Sequence, residues 1–437
     1  MRRFIIEKLK EWKESKYRKP LILKGARQVG KTYILKQFGE ENYEGVAYFN
    51  FDHDEDLYNL FENTKDPKRI LEQLAFIYGK AIMPEKTLII FDEIQECPNA
   101  LNSLKYFYEE ANEYHIACAG SLLGIRLSHT SFPVGKVEFL NMYPMTFSEF
   151  LLADKCENLV EYMESVNRIE KIPDIFFNQL EEKLKAYFII GGMPEAVNAW
   201  VNEKNMEIVN NIQENILLSY VSDFSKHTQE SEANKISLIW NSIPSQLAKE
   251  NKKFIYGLVK EGARAREYEI ALSWLIDCGL VYQINRINNC KIPLSAYQDF
   301  NAFKLYLLDV GLLAAKAGVD DKTILEGNAI FEEFKGSLTE QYVLCQIKEC
   351  TDLDVFYWSS DTGIAELDFI TQIGRNNVPI EVKASENLQA KSLKSFVQKY
   401  NTPVNIRTSM SNYRKEEWLI NIPLYSVGNI EKIINNN

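Results

Sequence analysis

Eight residues constrain this chain more than any others: "GARQVGKT", Gly25 to Thr32. They match G-x-x-x-x-G-K-[ST] and sit between an apolar strand candidate, Leu21–Leu23, and a helical pattern, "YILKQF". Glycines let the backbone wrap an anion, and successive N–H groups and the start of the next helix point at it. On this reading Gly25, Ala26, Arg27, Gln28, Val29 and Gly30 cradle phosphates. Lys31 reaches the outer phosphates, and Thr32 offers its hydroxyl to Mg²⁺. The bland alternative is a glycine-rich turn with a solvated lysine; a strand before and a helix after favour the cradle. The expected ligands are ATP or ADP, with Mg²⁺.

About sixty residues later comes "KTLIIFDEIQECPN". Leu88–Phe91 is a continuous apolar run, as expected of a strand buried on both faces. Asp92 and Glu93 fall at its C-terminal end, where ligands sit in open α/β sheets. Asp92 suits the acid that holds Mg²⁺, and Glu93 the residue that orients or deprotonates an attacking water. A third strand candidate ends at Gly120-Ser121. Ser121 can sense a terminal phosphate or simply cap a helix. Arg126 can neutralise phosphate charge, within the chain or across a subunit interface, or be solvated.

These stretches, with "AGSLLGI", "FPVGKVEFLNMYPMTFSEFL" and "GGMPEAV", resemble in their order a large prokaryotic family of AAA-type ATPases. The resemblance covers nearly the whole chain. It implies a parallel-sheet P-loop NTPase domain over residues 1–145 and a helical, lid-like region over 146–220. Members usually carry a C-terminal domain of unknown function. AAA-type relatives often form rings, so a homo-oligomer or protein partner is among the expectations.

From Thr146 to about Tyr220 the pattern is helical, broken at Gly191-Gly192-Met193-Pro194, a turn signal. Residues 221–325 then read as helix, turn, helix, strand. Ile270, Ala271, Trp274, Leu275 and Cys278 are expected on one helical face, with Gly279 as the stop. This is the outline of a winged helix, which the family's C-terminal region also resembles. Arg264 and Arg266 open the candidate recognition helix, but Glu267, Glu269 and Asp277 share its polar face. DNA and another protein are both open as partners.

Residues 326–437 read as helix, three meandering strands with turns at Asp361-Thr362-Gly363 and Gly374–Asn377, helix, strand: an α/β core. Strand alternation puts Glu366 and Asp368 on one face, and Glu381 and Lys383 on one face of the next strand. If those strands pair antiparallel, Asp368 and Glu381 converge on a metal, with Lys383 beside the water or the scissile phosphate. An Asp, then Glu-x-Lys, with an upstream helical acid, Glu340, resembles the PD-(D/E)xK nuclease superfamily, whose fold is restriction-endonuclease-like. Leu367 stands where the superfamily name has proline. Superfamily members often keep the fold without the cut. Lys391, Lys394, Lys399, Arg407, Arg414 and Lys415 form a local cationic excess suited to phosphate or to solvent.

The net charge of −11 argues against a generally basic, DNA-coating surface. Seven cysteines without a C-x-x-C pair favour reduced thiols, and four unclustered histidines argue against a histidine metal site. No run of eighteen apolar residues suggests a membrane span, and the charged start, which reads as an amphipathic helix with Phe4, Ile5, Leu9 and Trp12 on one side, is no secretory signal. A cytoplasmic location follows as the expectation. The expected activity is Mg²⁺-dependent ATP hydrolysis coupled to a winged-helix and nuclease-like module acting on or near DNA. The alternative is a nucleotide-switched regulator or scaffold whose nuclease-like domain is silent and binds a protein.

Overall fold

The computed structural model describes residues 1–436 except 53, 122–132, 167, 250, 320–331, 361–364 and 385–389. Arg126 and the turn expected at Asp361-Thr362-Gly363 lie outside the described residues. The chain divides into two compact units. One is Arg2–Tyr143 with Ser273–Leu280; the other is Pro144–Leu272 with Val281–Asn437.

The first unit runs α1 (Ile5–Glu14), β1 (Leu21–Lys24), α2 (Lys31–Asn42), β2 (Gly45–Asn50), α3 (Glu55–Asn63), α4 (Pro67–Tyr78), β3 (Thr87–Asp92), α5 (Pro98–Glu110), β4 (His115–Gly120) and β5 (Glu138–Asn141). Its five strands are parallel in the order β2-β3-β4-β1-β5. β3 and β4 are buried along their whole length, as a sheet covered on both faces requires. Ile22, Phe49, Phe91 and Cys118 pack with Leu57, Ile70, Leu104 and Phe107 of α3, α4 and α5. Because β4 lies between β1 and β3, the ends of these strands bring the glycine loop, Ser121 and Asp92 to one rim of the sheet.

In α1 the inward residues are Ile6, Leu9 and Trp12, while Phe4 and Ile5 are only half-buried. The buried stripe is therefore set by a three-residue recurrence that starts at Ile6, not Ile5. Just before it, the buried Arg3 guanidinium donates to the carbonyls of Val29, 3.1 Å, and Tyr143, 2.7 Å.

The second unit opens with helices: α6 (Phe147–Ala153), α7 (Glu157–Ser165), α8 (Asp174–Ile190), α9 (Pro194–Glu203), α10 (Met206–His227), α11 (Glu230–Leu247), α12 (Tyr256–Val259) and the part of α13 (Ala265–Asp277) before Ser273. Then come β6 (Val281–Ile287), β7 (Gln298–Leu307), α14 (Val310–Lys316), α15 (Glu332–Cys350), β8 (Val355–Ser359), β9 (Glu366–Ile373), β10 (Asn376–Lys383), α16 (Lys391–Tyr400), β11 (Ile406–Ser409), β12 (Arg414–Lys415) and β13 (Ile420–Pro423). Ile270 is not on the buried face of α13: it is 71% exposed, whereas Ala271, Trp274, Leu275 and Cys278, expected beside it, are buried, together with Tyr268 and Leu272. A three-to-four-residue recurrence begun at Tyr268 excludes position 270.

The eight strands of this unit form one mixed sheet, β12-β13-β11-β10-β9-β8-β6-β7. The β6–β7 hairpin joins it through a parallel pairing of Arg286 with Tyr357 and Ile287 with Trp358. Ile287 and Leu294 share a core with Phe356, Trp358, Leu367, Ile370, Leu393 and Phe396.

α15 is buried nearly all round from Ser337 to Ile347, polar residues included, rather than amphipathic. Its polar side chains have partners. Gln341 accepts from the Leu307 N–H at 2.9 Å, Gln346 accepts from the Phe147 N–H at 2.9 Å, and Ser337 donates to the Leu247 carbonyl at 2.6 Å.

The turn at Gly191–Met193 is a close backbone crossing. A Cβ at Gly192 would lie 2.1 Å from the Met145 carbonyl oxygen, and one at Gly311 would lie 2.6 Å from Ile190. Asp309, fully buried at the start of α14, accepts from the Gly192 N–H at 2.6 Å and the Leu312 N–H at 2.9 Å. It thereby caps one helix and ties down the α8–α9 turn together.

Candidate functional site

Gly25 closes β1 where the loop runs under the backbone of Met142: a Cβ there would meet the Met142 carbonyl oxygen at 2.2 Å. Gly30, at φ 95°, turns the chain into α2. Between them the loop takes the form of a cradle. Lys31 is buried and donates to the carbonyls of Gly25, 2.9 Å, and Ala26, 2.7 Å. Burial lowers its pKa to about 8, against the opposing pull of Glu93 and Asp92.

The Thr32 hydroxyl donates to Asp92 Oδ2 at 2.8 Å, so the first turn of α2 is tied to the tip of β3. Tyr48 of β2 donates to the same oxygen at 2.8 Å, and the Glu93 N–H donates to Asp92 Oδ1 at 3.1 Å. Burial, then the bond to Asp92, raises the Tyr48 phenol above its ordinary range. Glu93 sits at φ 49°, in the left-handed region, and its carboxylate accepts from Gln95. Arg27 donates to the hydroxyl of buried Ser121 at 3.3 Å. A hydroxyl and a carboxylate oxygen at one point are hard donors of the kind Mg²⁺ takes, and a loop with no room for a Cβ suits a phosphate. The residues present fit both groups.

In the second unit β9 and β10 do pair antiparallel, Phe369 opposite Ile380, which sets Asp368 and Glu381 on one face of adjacent strands. Asp368 Oδ2 accepts from the Val382 N–H at 2.8 Å. Glu381 Oε1 is ion-paired with Lys383 at 2.7 Å, while its Oε2 is buried without a hydrogen-bond partner. Glu340 comes from the buried helix α15; it is ion-paired with Lys252 and accepts from the Tyr306 hydroxyl at 3.1 Å. Lys304 of β7, fully buried, pairs with Glu366 at 2.5 Å. Burial, then the charges of Glu340 and Glu381, pushes the Asp368 carboxyl well up. Burial also raises Glu381 against Lys383. Burial alone would raise Glu340, but the Lys252 and Lys304 ammoniums hold it below the usual range. Among the described residues, no three acids, histidines or cysteines are arranged to hold a metal ion. In this arrangement lysines balance the acids.

The cationic excess of residues 391–415 is only partly a surface. Lys391, Lys394 and Lys399 of α16 are exposed, but Arg407 is buried against Asn421, 2.9 Å, and Glu416, 3.2 Å. As a residue of an inner strand, β11, it serves the fold. None of the seven cysteines is in a disulfide. No described helix is long and apolar enough to cross a membrane.

Residues 17–151 match the family described as "AAA domain". That segment spans the cradle, Asp92, Glu93 and Ser121. The chain carries an AAA-type P-loop ATPase domain. Beyond the AAA domain, residues 181–323 and 335–426 match two domains of unknown function, DUF8612 and DUF4143. The uncharacterized protein MJ1637 of Methanocaldococcus jannaschii is 28% identical over 218 residues, 47% of this chain and 44% of that protein. The match thus spans less than half of the relative's length. Among solved structures, the Walker-type ATPase paby2304 of Pyrococcus abyssi is similar at TM-score 0.44 and 14% identity, over 71% of this chain and 94% of that one. The Aeropyrum pernix Orc1 protein in complex with DNA is similar at TM-score 0.31 and 14% identity, over 72% and 90%.

Around the AAA domain's cradle the sequence reading omitted Tyr48 and Gln95. In the second unit it omitted Lys252, Lys304 and Asp309. Only Lys304 carried a local signal, as the one charge inside the apolar run "AFKLYLL".

Proposed function

We propose that this chain hydrolyses ATP with Mg²⁺ in its AAA domain and couples nucleotide state to its C-terminal module, acting on or near DNA. One observation supports this most: the Thr32 hydroxyl and the Asp92 carboxylate meet at 2.8 Å beside Glu93. Backbone N–H groups of Gly25 to Gly30 bind the phosphate chain, and Lys31 balances its outer charge. Thr32 and Asp92 hold Mg²⁺, which when bound withdraws charge from the phosphate oxygens. Glu93 accepts the proton of the attacking water or orients it. Ser121, with Arg27 behind it, senses the terminal phosphate. The test is steady-state ATP turnover: Lys31→Ala and Glu93→Gln should each collapse it, and full turnover in both would overturn the assignment.

In the C-terminal domain the reading is nuclease-like, with Asp368, Glu381 and Glu340 as metal ligands and Lys383 beside the scissile phosphate. Supporting it are the shared face of Asp368 and Glu381 and the unpartnered Glu381 oxygen. DNA and RNA substrates incubated with Mg²⁺ or Mn²⁺ test it; cleavage must vanish in Glu381→Ala. The pairing of Lys252 with Glu340 favours a second reading, a nucleotide-switched scaffold whose nuclease-like domain is silent. Nucleotide-dependent capture of a defined partner without cleavage by wild type would support that reading, and rapid DNA-stimulated turnover would exclude it.

A further inference from the structure

Three lysines of the AAA domain line one pocket. In α5 the residues Ala100, Leu101, Ser103, Leu104 and Phe107 are buried, and Leu101, Leu104 and Phe107 pack with Ile89 and Phe91 of the sheet. Asn102, Lys105 and Tyr106, spaced i, i+3 and i+4, therefore share the outward face of the helix. They line a pocket of about 370 Å³ with Lys65, from the link between α3 and α4, and with Val134 and Lys136, from the turn before β5. That turn is closed by the Lys136 N–H, which donates to the Pro133 carbonyl at 3.0 Å, and Gly135 at φ 72° lets the chain reverse there. Three stretches far apart in sequence thus each bring one ammonium to the same cavity.

The charges do not cancel. Glu109, a turn further along α5, pairs with Lys136 at 2.9 Å and also feels the charge of Lys105. Among the described residues no acid lines the pocket itself. One carboxylate against three ammoniums leaves positive charge in excess, in a chain whose net charge is −11. Like charges gathered in a concavity raise the local concentration of anions. The surroundings do not continue as a cationic track: Glu62 and Asp66 stand on either side of Lys65, and Glu109 and Glu110 end α5. A nucleic-acid backbone needs a row of cations, so this charge fits one compact anion instead. Beside the lysines the lining offers the ring of half-buried Tyr106 and the apolar Val134, which is 81% exposed.

We propose that this pocket binds a small phosphorylated molecule, its phosphate on Lys65, Lys105 and Lys136 and its remaining part against Tyr106 and Val134. A phosphate monoester carries about 1.5 to 2 negative charges at neutral pH and has three acceptor oxygens, which suits three ammoniums partly offset by one acid. A carboxylate carries a single charge and is served best by the planar fork of arginine, which the described lining lacks. The volume falls at the lower end of the range of small-molecule sites, about 300–1,000 Å³, and leaves room for more than a bare phosphate. Asn102 adds an amide that can donate and accept. The pocket shares none of its described residues with the glycine loop, Asp92, Glu93 or Ser121, so the proposal stands apart from the reading of the nucleotide site.

The probe is phenyl phosphate, a phosphate on an apolar ring, titrated by calorimetry into the full chain at low ionic strength with Mg·ADP present to fill the cradle. Wild type should bind it saturably at one site. Lys65→Gln and Lys105→Gln should each weaken binding by roughly tenfold or more, and Tyr106→Ala should weaken phenyl phosphate more than inorganic phosphate. Lys80→Gln, an exposed lysine of the same domain outside the pocket, should change nothing. Lys65 and Lys105 are exposed, so their variants should fold, and circular dichroism checks that they do. The signal should also survive Lys31→Ala; a signal lost there belongs to the cradle and overturns the proposal. No saturable binding by wild type would overturn it too, as would binding that Lys65→Gln and Lys105→Gln leave unchanged or that Lys80→Gln weakens equally. Capture of single-stranded DNA through these lysines without binding of phenyl phosphate would assign them to a nucleic-acid backbone and overturn it as well.

Discussion

Thr32 and Asp92, sixty residues apart in sequence, are joined by a hydrogen bond of 2.8 Å. It links the first turn of the helix after the glycine loop to the tip of a strand two places away in the sheet. Either residue alone is commonplace; together they put a hydroxyl and a carboxylate at one point, the pair proposed to hold Mg²⁺. Thr32→Val keeps the shape and removes the hydroxyl. ATP turnover should fall by roughly tenfold to a hundredfold at fixed Mg²⁺ and recover in part at higher Mg²⁺, while Thr32→Ser stays close to wild type. Mg²⁺ titrations of the ATPase rate check this.

Tyr48 gives a milder version of the same experiment. Its hydroxyl shares Asp92 Oδ2 with Thr32. Tyr48→Phe leaves the ring under Lys36 and takes away one donor to a buried carboxylate. The expected cost is about 1–2 kcal/mol, read as a comparable loss in kcat/KM for ATP or in unfolding free energy.

Gln95 holds the Glu93 carboxylate, and Glu93 stands in the left-handed backbone region. On the proposed role of Glu93 in activating water, a residue that orients its carboxylate should act on turnover and not on binding. Gln95→Ala should lower kcat by roughly tenfold with KM for ATP nearly unchanged. A rise in KM with unchanged kcat would instead mean that Gln95 serves nucleotide binding.

Asp309 supplies a pH test. Burial pushes its pKa up from 3.8 to about 6, although N–H groups of Gly192, Leu312, Gly311 and Val310 hold it down. A carboxyl whose folded pKa is raised stabilises the native state most when protonated. That contribution is full below about pH 4 and is lost as pH rises through 6. The unfolding free energy of wild type minus that of Asp309→Asn should therefore fall by roughly 2 kcal/mol between pH 4 and pH 7. Urea denaturation across that range measures it, and a flat difference would mean that Asp309 titrates normally.

Two glycines of the second unit should respond oppositely to alanine. At Gly192 the added carbon would sit 2.1 Å from a backbone oxygen, so Gly192→Ala should destabilise by about 2–4 kcal/mol. Gly336 lies in α15 with nothing within 4 Å, so Gly336→Ala should stabilise by about 0.5–1 kcal/mol. Thermal or urea unfolding of the two variants reads both signs.

What could be read from the sequence was local. The glycine loop is written in consecutive residues, and the shared face of Asp368 and Glu381 follows from a period of two. The strand ends at Asp92 and Gly120 followed from unbroken apolar runs. What could not be read depends on approach from elsewhere. Tyr48 reaches Asp92 only because β2 lies beside β3. Lys252 reaches Glu340 across 88 positions of sequence. The buried stripe of α1 was misplaced at Phe4 and Ile5 and that of α13 at Ile270, because an apolar residue beside an apolar stripe looks the same in sequence as one within it. Arg407 looked like surface charge because its partners, Asn421 and Glu416, are brought to it by β13 and the turn before it.

The eight-stranded sheet has a consequence for how the second unit can be cut. Removing everything before β8 would strip β8 of its β6 neighbour and expose a row of unpaired backbone groups flanked by Phe356 and Trp358. Such an edge invites aggregation. The hairpin of residues 281–307 thus works as a cover strip for the C-terminal fold. The two stretches should exchange amide hydrogens as one cooperative block.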